Sequence, residues 1–322
     1  MRRIMDCFRT SMIQPSGIST APSAGLPSCW HGAGRHAIVP STNFQKRRPM
    51  VAFPLSQGQD GPDIVTLQQA LNRMGALISE DGDFGKGTAA AVRYAQTVLG
   101  LEPTGTVDAA LWNRLMTQPE PSPLLPTRGI TFIATEEIGS RTRYEQAYCH
   151  PVWPGGDSGI TIGIGFDLRF ADQATFGRAW GKLNQDVQNA LIPWLGKQGS
   201  QAGADSLKNV VVPYDLAWPV YCGDTIPVYV DRTEDAFPGT DKLPGLCRSA
   251  LVSLVYNRGP SLKGDRRVEM RAIRDLVQAG DPASLAQVPA QFEQMKKLWP
   301  EGNGLRDRRG REAKLWADGL PK

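Results

Sequence analysis

Histidine is nearly missing from this chain: three residues in 322, with His31 and His36 near the N-terminus and only His150 downstream. That scarcity argues against the zinc hydrolases, whose catalytic metal needs two or three histidines with a carboxylate or cysteine. It also argues against a Cys–His nucleophile, because Cys149 is only the chain neighbour of His150 and no third orienting group is evident. Cysteine is sparse as well. Cys7, Cys29, Cys149, Cys222 and Cys247 show no CxxC spacing and no tight framework, so the last three read as free buried thiols or, less simply, as one disulfide and one thiol. Long apolar runs are missing: nothing approaches the ~18 residues that span a bilayer. The opening MRRIMDCFRTSMIQPSG has the basic start of a secretion signal without its continuous apolar core. A formal charge of +4 is a mild excess that suits an anionic envelope and selects no partner.

What is present divides the chain. Residues 1–49 are rich in Ser, Pro, Gly and Arg without a sustained apolar period; they read equally as a disordered leader or as sequence ahead of a true start at Met50. From 50 to 116 three short helices are expected. Ile64, Leu67, Leu71 and Met74 lie at helical spacing before Gly75, Ala91, Val92, Ala95 and Val98 form a second stripe, and Leu111, Trp112 and Leu115 a third. The intervening DGDFG lacks the regular D-x-[DN]-x-[DN]-G spacing of a calcium loop. Residues 117–128, TQPEPSPLLPTR, carry prolines at 119, 121, 123 and 126 and predict a semi-rigid, extended spacer. A second domain is expected over 129–322.

Within the first domain, Val65, Leu67, Gln68, Leu71, Gly75, Asp81, Gly82, Phe84, Gly85, Thr88, Ala91, Val92, Gln96, Gly100, Leu101, Gly105, Val107, Asp108 and Trp112 form an ordered set. Singly, most are core and turn positions of any small bundle. Together, over the whole domain, they resemble the common peptidoglycan-binding domain.

The chemistry lies in 137–167, EIGSRTRYEQAYCHPVWPGGDSGITIGIGFD. GITFIATEEIG reads as a helix closed by Gly139, with Glu137 on the apolar stripe of Ile130, Ile133 and Ala134 and Glu136 bordering it, so spacing favours Glu137 only slightly. A carboxyl group facing the core loses hydration, which would keep it protonated as a general acid. In GITIGIGFDL the period is two: Ile160, Ile162, Ile164 and Phe166 face one way, Thr161, Gly163, Gly165 and Asp167 the other, as a floor under a sugar would. A straight strand would separate Thr161 from Asp167 by roughly 20 Å. The chain must therefore bend at Gly163 or Gly165 if both serve one bond. The GIG is no dinucleotide loop, since position 168 is leucine where GxGxxG needs glycine.

This stretch resembles the active-site region of phage-type lysozymes, and more closely the pesticin-like lysozyme domains. TEDAFPGTDKLPG, ALVSLVYNRG and GLRDRRGREAKLW are similar to the helical half of the same muramidases. The resemblance implies an α+β, mostly helical fold: a three-helix wall-binding domain, a Pro-rich linker and a lysozyme-like domain with a small β-hairpin lobe. It implies that Glu137 is the catalytic acid and that Thr161 and Asp167 match the threonine and the aspartate six residues later. Phage enzymes instead place the aspartate before the threonine, where this chain has Asp157 in the turn-forming WPGGDSG; Asp167 is favoured without closing the alternative. The implied activity is hydrolysis of the β-1,4 bond between N-acetylmuramic acid and N-acetylglucosamine, with no cofactor and no metal. The expected partner is peptidoglycan, with no nucleic acid and no stable membrane insertion, the expected state a monomer, and the place of action the cell wall. The rival reading is a non-catalytic wall-binding or toxin-like protein with a degenerate lysozyme fold. Arg266, Arg267, Arg306, Arg308, Arg309 and Arg311 form either a patch that steers toward an anionic envelope or, more simply, solvated helix faces.

Overall fold

The computed structural model describes residues 51–321. The leader expected over 1–49, with Cys7, Cys29, His31 and His36, lies outside the described residues. Helix dominates, and the named strands are two short ones.

The first three helices are α1 (Pro62–Arg73), α2 (Lys86–Val98) and α3 (Ala109–Met116). The expected core positions Ile64, Leu67, Leu71, Ala91, Val92, Ala95, Leu111 and Leu115 are buried. Met74 caps α1 and is only half-buried, and Val98, placed on the second stripe by its spacing, is exposed. It falls in the last turn of α2, past the point where the bundle covers that face. A buried glutamine clamps the loop after each of the first two helices. Gln68 Nε2 donates to Asp81 Oδ1 (2.8 Å) and its Oε1 accepts from Gly82 N (2.9 Å). Gln96 repeats this with Thr104 Oγ1 (2.9 Å) and Gly105 N (2.9 Å). The Asp81 carboxylate of DGDFG is thus committed to protein donors, and these bonds, the Asp83 backbone first, hold its pKa below the usual value.

Residues 117–128 do not stand off as a spacer. Leu125 and Ser122 are buried, Glu120 pairs with Arg73 (2.8 Å) and accepts from Thr127 Oγ, and Arg248 holds the Leu124 carbonyl (3.3 Å). Prolines set the path, but the two leucines between them supply apolar surface that docks. The bundle therefore packs against the helices on the C-terminal side of this segment, and residues 53–321 fall in one unit.

The rest begins with α4 (Thr127–Ile138) and α5 (Arg141–Ala147). A hairpin comes next, β1 (Thr161–Ile162) and β2 (Phe166–Asp167), then α6 (Gln173–Trp180), α7 (Gln185–Leu191) and α8 (Gln201–Ser206). Helix α9 (Tyr214–Val220) runs through a π-helical turn, Tyr221–Thr225, into α10 (Ile226–Ala236). Helix α11 (Gly245–Arg258) is buried on nearly every side from Ser249 onward, which is why its apolar residues keep to no single stripe. Then come α12 (Val268–Ala279), α13 (Pro282–Leu285), α14 (Val288–Met295) and α15 (Gly304–Gly319), the last packed along α11 and α14. Cys149, Cys222 and Cys247 are buried and form no disulfide among the described residues.

Candidate functional site

Glu137 sits in the last turn of α4, closed by Gly139 at φ +79°. It is 5% exposed, while Glu136 is half-buried and takes a bidentate pair from Arg311 (2.5 and 2.9 Å). The apolar stripe does carry Glu137 inward, yet its surroundings are not apolar. Arg308 Nη1 lies 2.6 Å from Glu137 Oε1. Arg308 in turn donates through Nε to Glu312 (3.1 Å) and through Nη2 to the Ser253 carbonyl (3.0 Å), and Ser253 Oγ donates to Glu312 (2.6 Å). Arg309 extends the network from Glu312 (3.0 Å) to Asn257 Oδ1 (3.0 Å) at the end of α11. Each charge in this network, Glu137, Arg308, Arg309 and Glu312, thus has a partner of opposite sign, the condition under which buried charges are tolerated.

This network corrects the reading of the basic residues. Arg267, Arg308 and Arg309 are buried, and Arg311 is spent on Glu136. The three buried arginines form neither a steering patch nor a solvated face, whereas Arg266 and Arg311 are exposed and Arg306 is half-buried, as expected of solvated helix faces. One sign of this was in the sequence, since Arg308 and Glu312 stand at i,i+4 and Arg309 and Glu312 at i,i+3 on α15. The link to Glu137, 171 positions away, left no local trace.

The hairpin bends as its glycines require. Gly163 (φ +59°) and Gly165 (φ +80°) both take the left-handed conformation in the turn. Thr161 and Asp167 become directly opposed partners, as do Ile162 and Phe166, and Val152 bridges the outer edge of Thr161. Opposed cross-strand residues carry Cβ atoms about 4.5–5.5 Å apart, so the six-residue separation collapses to neighbour distance. Ile160, Ile162, Ile164 and Phe166 are buried as the period predicts.

The other face is not the open floor that its pattern suggested. A Cβ on Gly163 would lie 2.7 Å from the Trp180 ring, and one on Gly165 2.1 Å from the Tyr256 hydroxyl. Two aromatic side chains fill the space the glycines leave, so these glycines permit packing. Tyr256 stacks on Tyr229 (4.1 Å between centroids) and its hydroxyl donates to the Ile164 carbonyl (3.3 Å).

Thr161 is buried as well, and its Oγ1 makes no hydrogen bond among the described residues. Asp167 is half-buried, accepting from Gly159 N (3.0 Å) and Arg169 N (2.9 Å). Burial raises its pKa above the usual carboxylate value, opposed by those two backbone donors and by the charges of Arg169 and Arg232. Asp157 is exposed in its loop. Tyr144 is fully buried with its hydroxyl on the Val212 carbonyl, and Trp153 is half-buried with its indole N–H on Ser158. His150 is held by the Val210 carbonyl (2.8 Å). Sequence reasoning named Arg308 only as a surface cation, and it missed the other supporting residues: Glu312 and Ser253 beside it, and Trp180 and Tyr256 packed on the hairpin.

Residues 60–115 match the family model of a peptidoglycan binding domain. The match covers α1 to α3, supports peptidoglycan as the partner of this chain, and points to the cell wall as its place of action. No curated protein matches the chain. Among the described residues no helix is long and apolar enough to cross a membrane.

Proposed function

We propose that the chain is an N-acetylmuramidase that cleaves the β-1,4 bond between N-acetylmuramic acid and N-acetylglucosamine in peptidoglycan. Glu137 protonates the glycosidic oxygen, Thr161 holds the attacking water, and Asp167 orients and polarises that water. The observation that carries this reading is the hairpin register. It pairs a hydroxyl that has no partner among the described residues with a half-buried carboxylate, the two groups a positioned water needs. The Glu137–Arg308 contact fixes the orientation of the carboxyl group. A water held by a hydroxyl beside a carboxylate favours inversion at the anomeric carbon over a covalent sugar ester. Inverting pairs of carboxyl groups stand roughly 6.5–9.5 Å apart, against about 5–5.5 Å in retaining enzymes.

The burial of Glu137 in an ion-pair network favours a second reading, in which its carboxylate is an anchor and the chain binds wall without cutting it. Loss of turbidity of purified sacculi, with release of reducing ends, separates the two. Glu137→Gln should then lose lysis by at least about two orders of magnitude, the scale of acid–base catalysis, while still binding sacculi. Intact sacculi after incubation with the wild type, or a fully lytic Glu137→Gln variant, would end the muramidase assignment. Products of retained configuration, read by NMR directly after cleavage, would remove the water-holding role of Thr161.

A further inference from the structure

A cavity of about 240 Å³ opens between α6 and α9. One rim carries the cations Arg178 and Lys182, the other the carboxylates Asp215 and Asp224. A single exposed ion pair, Arg178 to Asp224 at 3.3 Å, crosses it, and neither Lys182 nor Asp215 forms an ion pair among the described residues. Between the rims the lining is apolar, with Leu183, Leu216, Pro219 and Val220, and Trp180 contributes a fully buried indole whose N–H makes no hydrogen bond among the described residues. Buried indole N–H groups ordinarily find a partner.

Position adds to composition. The Trp180 ring that lines this cavity is the one packed against Gly163 of the hairpin. The helix that forms its other wall, α9, also carries Tyr214 and Trp218, which bond the Gly75 and Arg73 carbonyls of the peptidoglycan-binding bundle. Asp215 lies close enough to Tyr94 of that bundle to help push its phenol up to about 12, behind the larger effect of burial. The cavity thus sits beside the seam of the wall-binding bundle and behind the hairpin.

We propose that this cavity is a subsite for a short peptide bearing one ammonium and one carboxylate group, of the kind carried by peptidoglycan stem peptides. The ammonium faces Asp215 and Asp224, the carboxylate faces Arg178 and Lys182, and the aliphatic part lies on Leu216 and Pro219. A simple anion or cation would meet two like charges, and a neutral sugar would leave Lys182 and Asp215 without a complement. The volume is below the roughly 300–1,000 Å³ of drug-sized pockets and suits one or two residues. The choice of ligand rests on peptidoglycan being the partner and not on cleavage by Glu137.

The probe is Nα-acetyl-L-lysyl-D-alanine, titrated calorimetrically into the full chain, with its C-terminal amide and its Nε-acetyl form as controls. The expected dissociation constant is of order 0.1–1 mM, with each capped form weaker by about tenfold or more. Asp215→Asn with Asp224→Asn, at positions outside the hydrophobic core, should weaken the probe by a similar factor, and Leu216→Trp, which fills the cavity, should abolish binding. If Leu216→Trp disturbs the fold, the double asparagine variant still decides. No binding at about 10 mM, equal binding of the capped forms, or unchanged binding by the double variant would overturn the subsite. A chain that lyses sacculi yet ignores the probe sinks this inference alone. One that binds the probe yet never lyses sacculi sinks the muramidase reading alone.

Discussion

At the scale of single residues, Asp167 gives the sharpest test of how far burial shapes this site. Its folded pKa is raised, so the folded state holds that proton more tightly than the unfolded chain, whose carboxyl keeps the ordinary value of 3.8. A raised pKa favours folding fully only below the unfolded value, and that contribution is lost as pH rises through the folded pKa. Asp167→Asn keeps a side-chain oxygen for Gly159 N and Arg169 N without the charge. Urea denaturation should therefore show the wild type losing stability relative to Asp167→Asn as pH rises above 3.8. A difference that does not change with pH would mean the carboxylate is as well hydrated folded as unfolded. The residue itself was legible in the sequence because period two put it on the face of Thr161. Its partners were not: Gly159 lies within reach only once the hairpin closes, and Arg232 comes from α10. Glu137 was legible in the same limited way. Helical spacing turned it inward, but could not supply Arg308 from the far end of the chain.

At the scale of elements, the hairpin was readable as a bend and misread as a surface. Two glycines in a period-two segment demand a turn, and the turn is there. What lies over a glycine depends on rings brought in from α6 and α11, which no local pattern encodes. This separates two costs at Gly165. Alanine there meets a backbone at φ +80°, a conformation worth of order 1–3 kcal/mol to a non-glycine residue. It also meets the Tyr256 hydroxyl at 2.1 Å. Gly165→Ala should lower the urea midpoint by more than the backbone cost alone. Tyr256→Phe, which removes the oxygen in the way, should recover part of that loss in the double variant while being mildly destabilising by itself. Strict additivity of the two changes would show that the ring gives way and the contact does not bind hairpin to helix.

At the scale of the whole molecule, the question is whether the wall-binding bundle is a tethered module or part of the body. Four prolines in the connecting segment argued for a tether, and the three-helix pattern argued for a bundle that closes its own core. The second holds and the first does not, because the decisive residues lie far from the segment. Gly75 has no side chain where the Trp218 ring approaches: a Cβ there would be 2.7 Å from the ring. Tyr214 Oη donates to the Gly75 carbonyl at 2.7 Å, Trp218 Nε1 to the Arg73 carbonyl at 3.2 Å, and Tyr94 packs edge-on to Tyr214. A fragment beginning at Gly129 would keep the candidate site but expose this seam. Tyrosine and tryptophan bury about 150–250 Å² each. Re-exposing half of two such rings costs on the order of 4–6 kcal/mol at about 25 cal/mol per Å², a large part of the stability of an ordinary domain. The intact chain should therefore melt in one calorimetric transition, and the fragment should melt well below it. Trp218→Ala in the full chain should move toward the fragment, either lowering the single transition or splitting it in two. Equal melting temperatures for fragment and full chain, or two separate transitions in the wild type, would return the bundle to the status of a tether. Removing it would then cost binding to sacculi and nothing else.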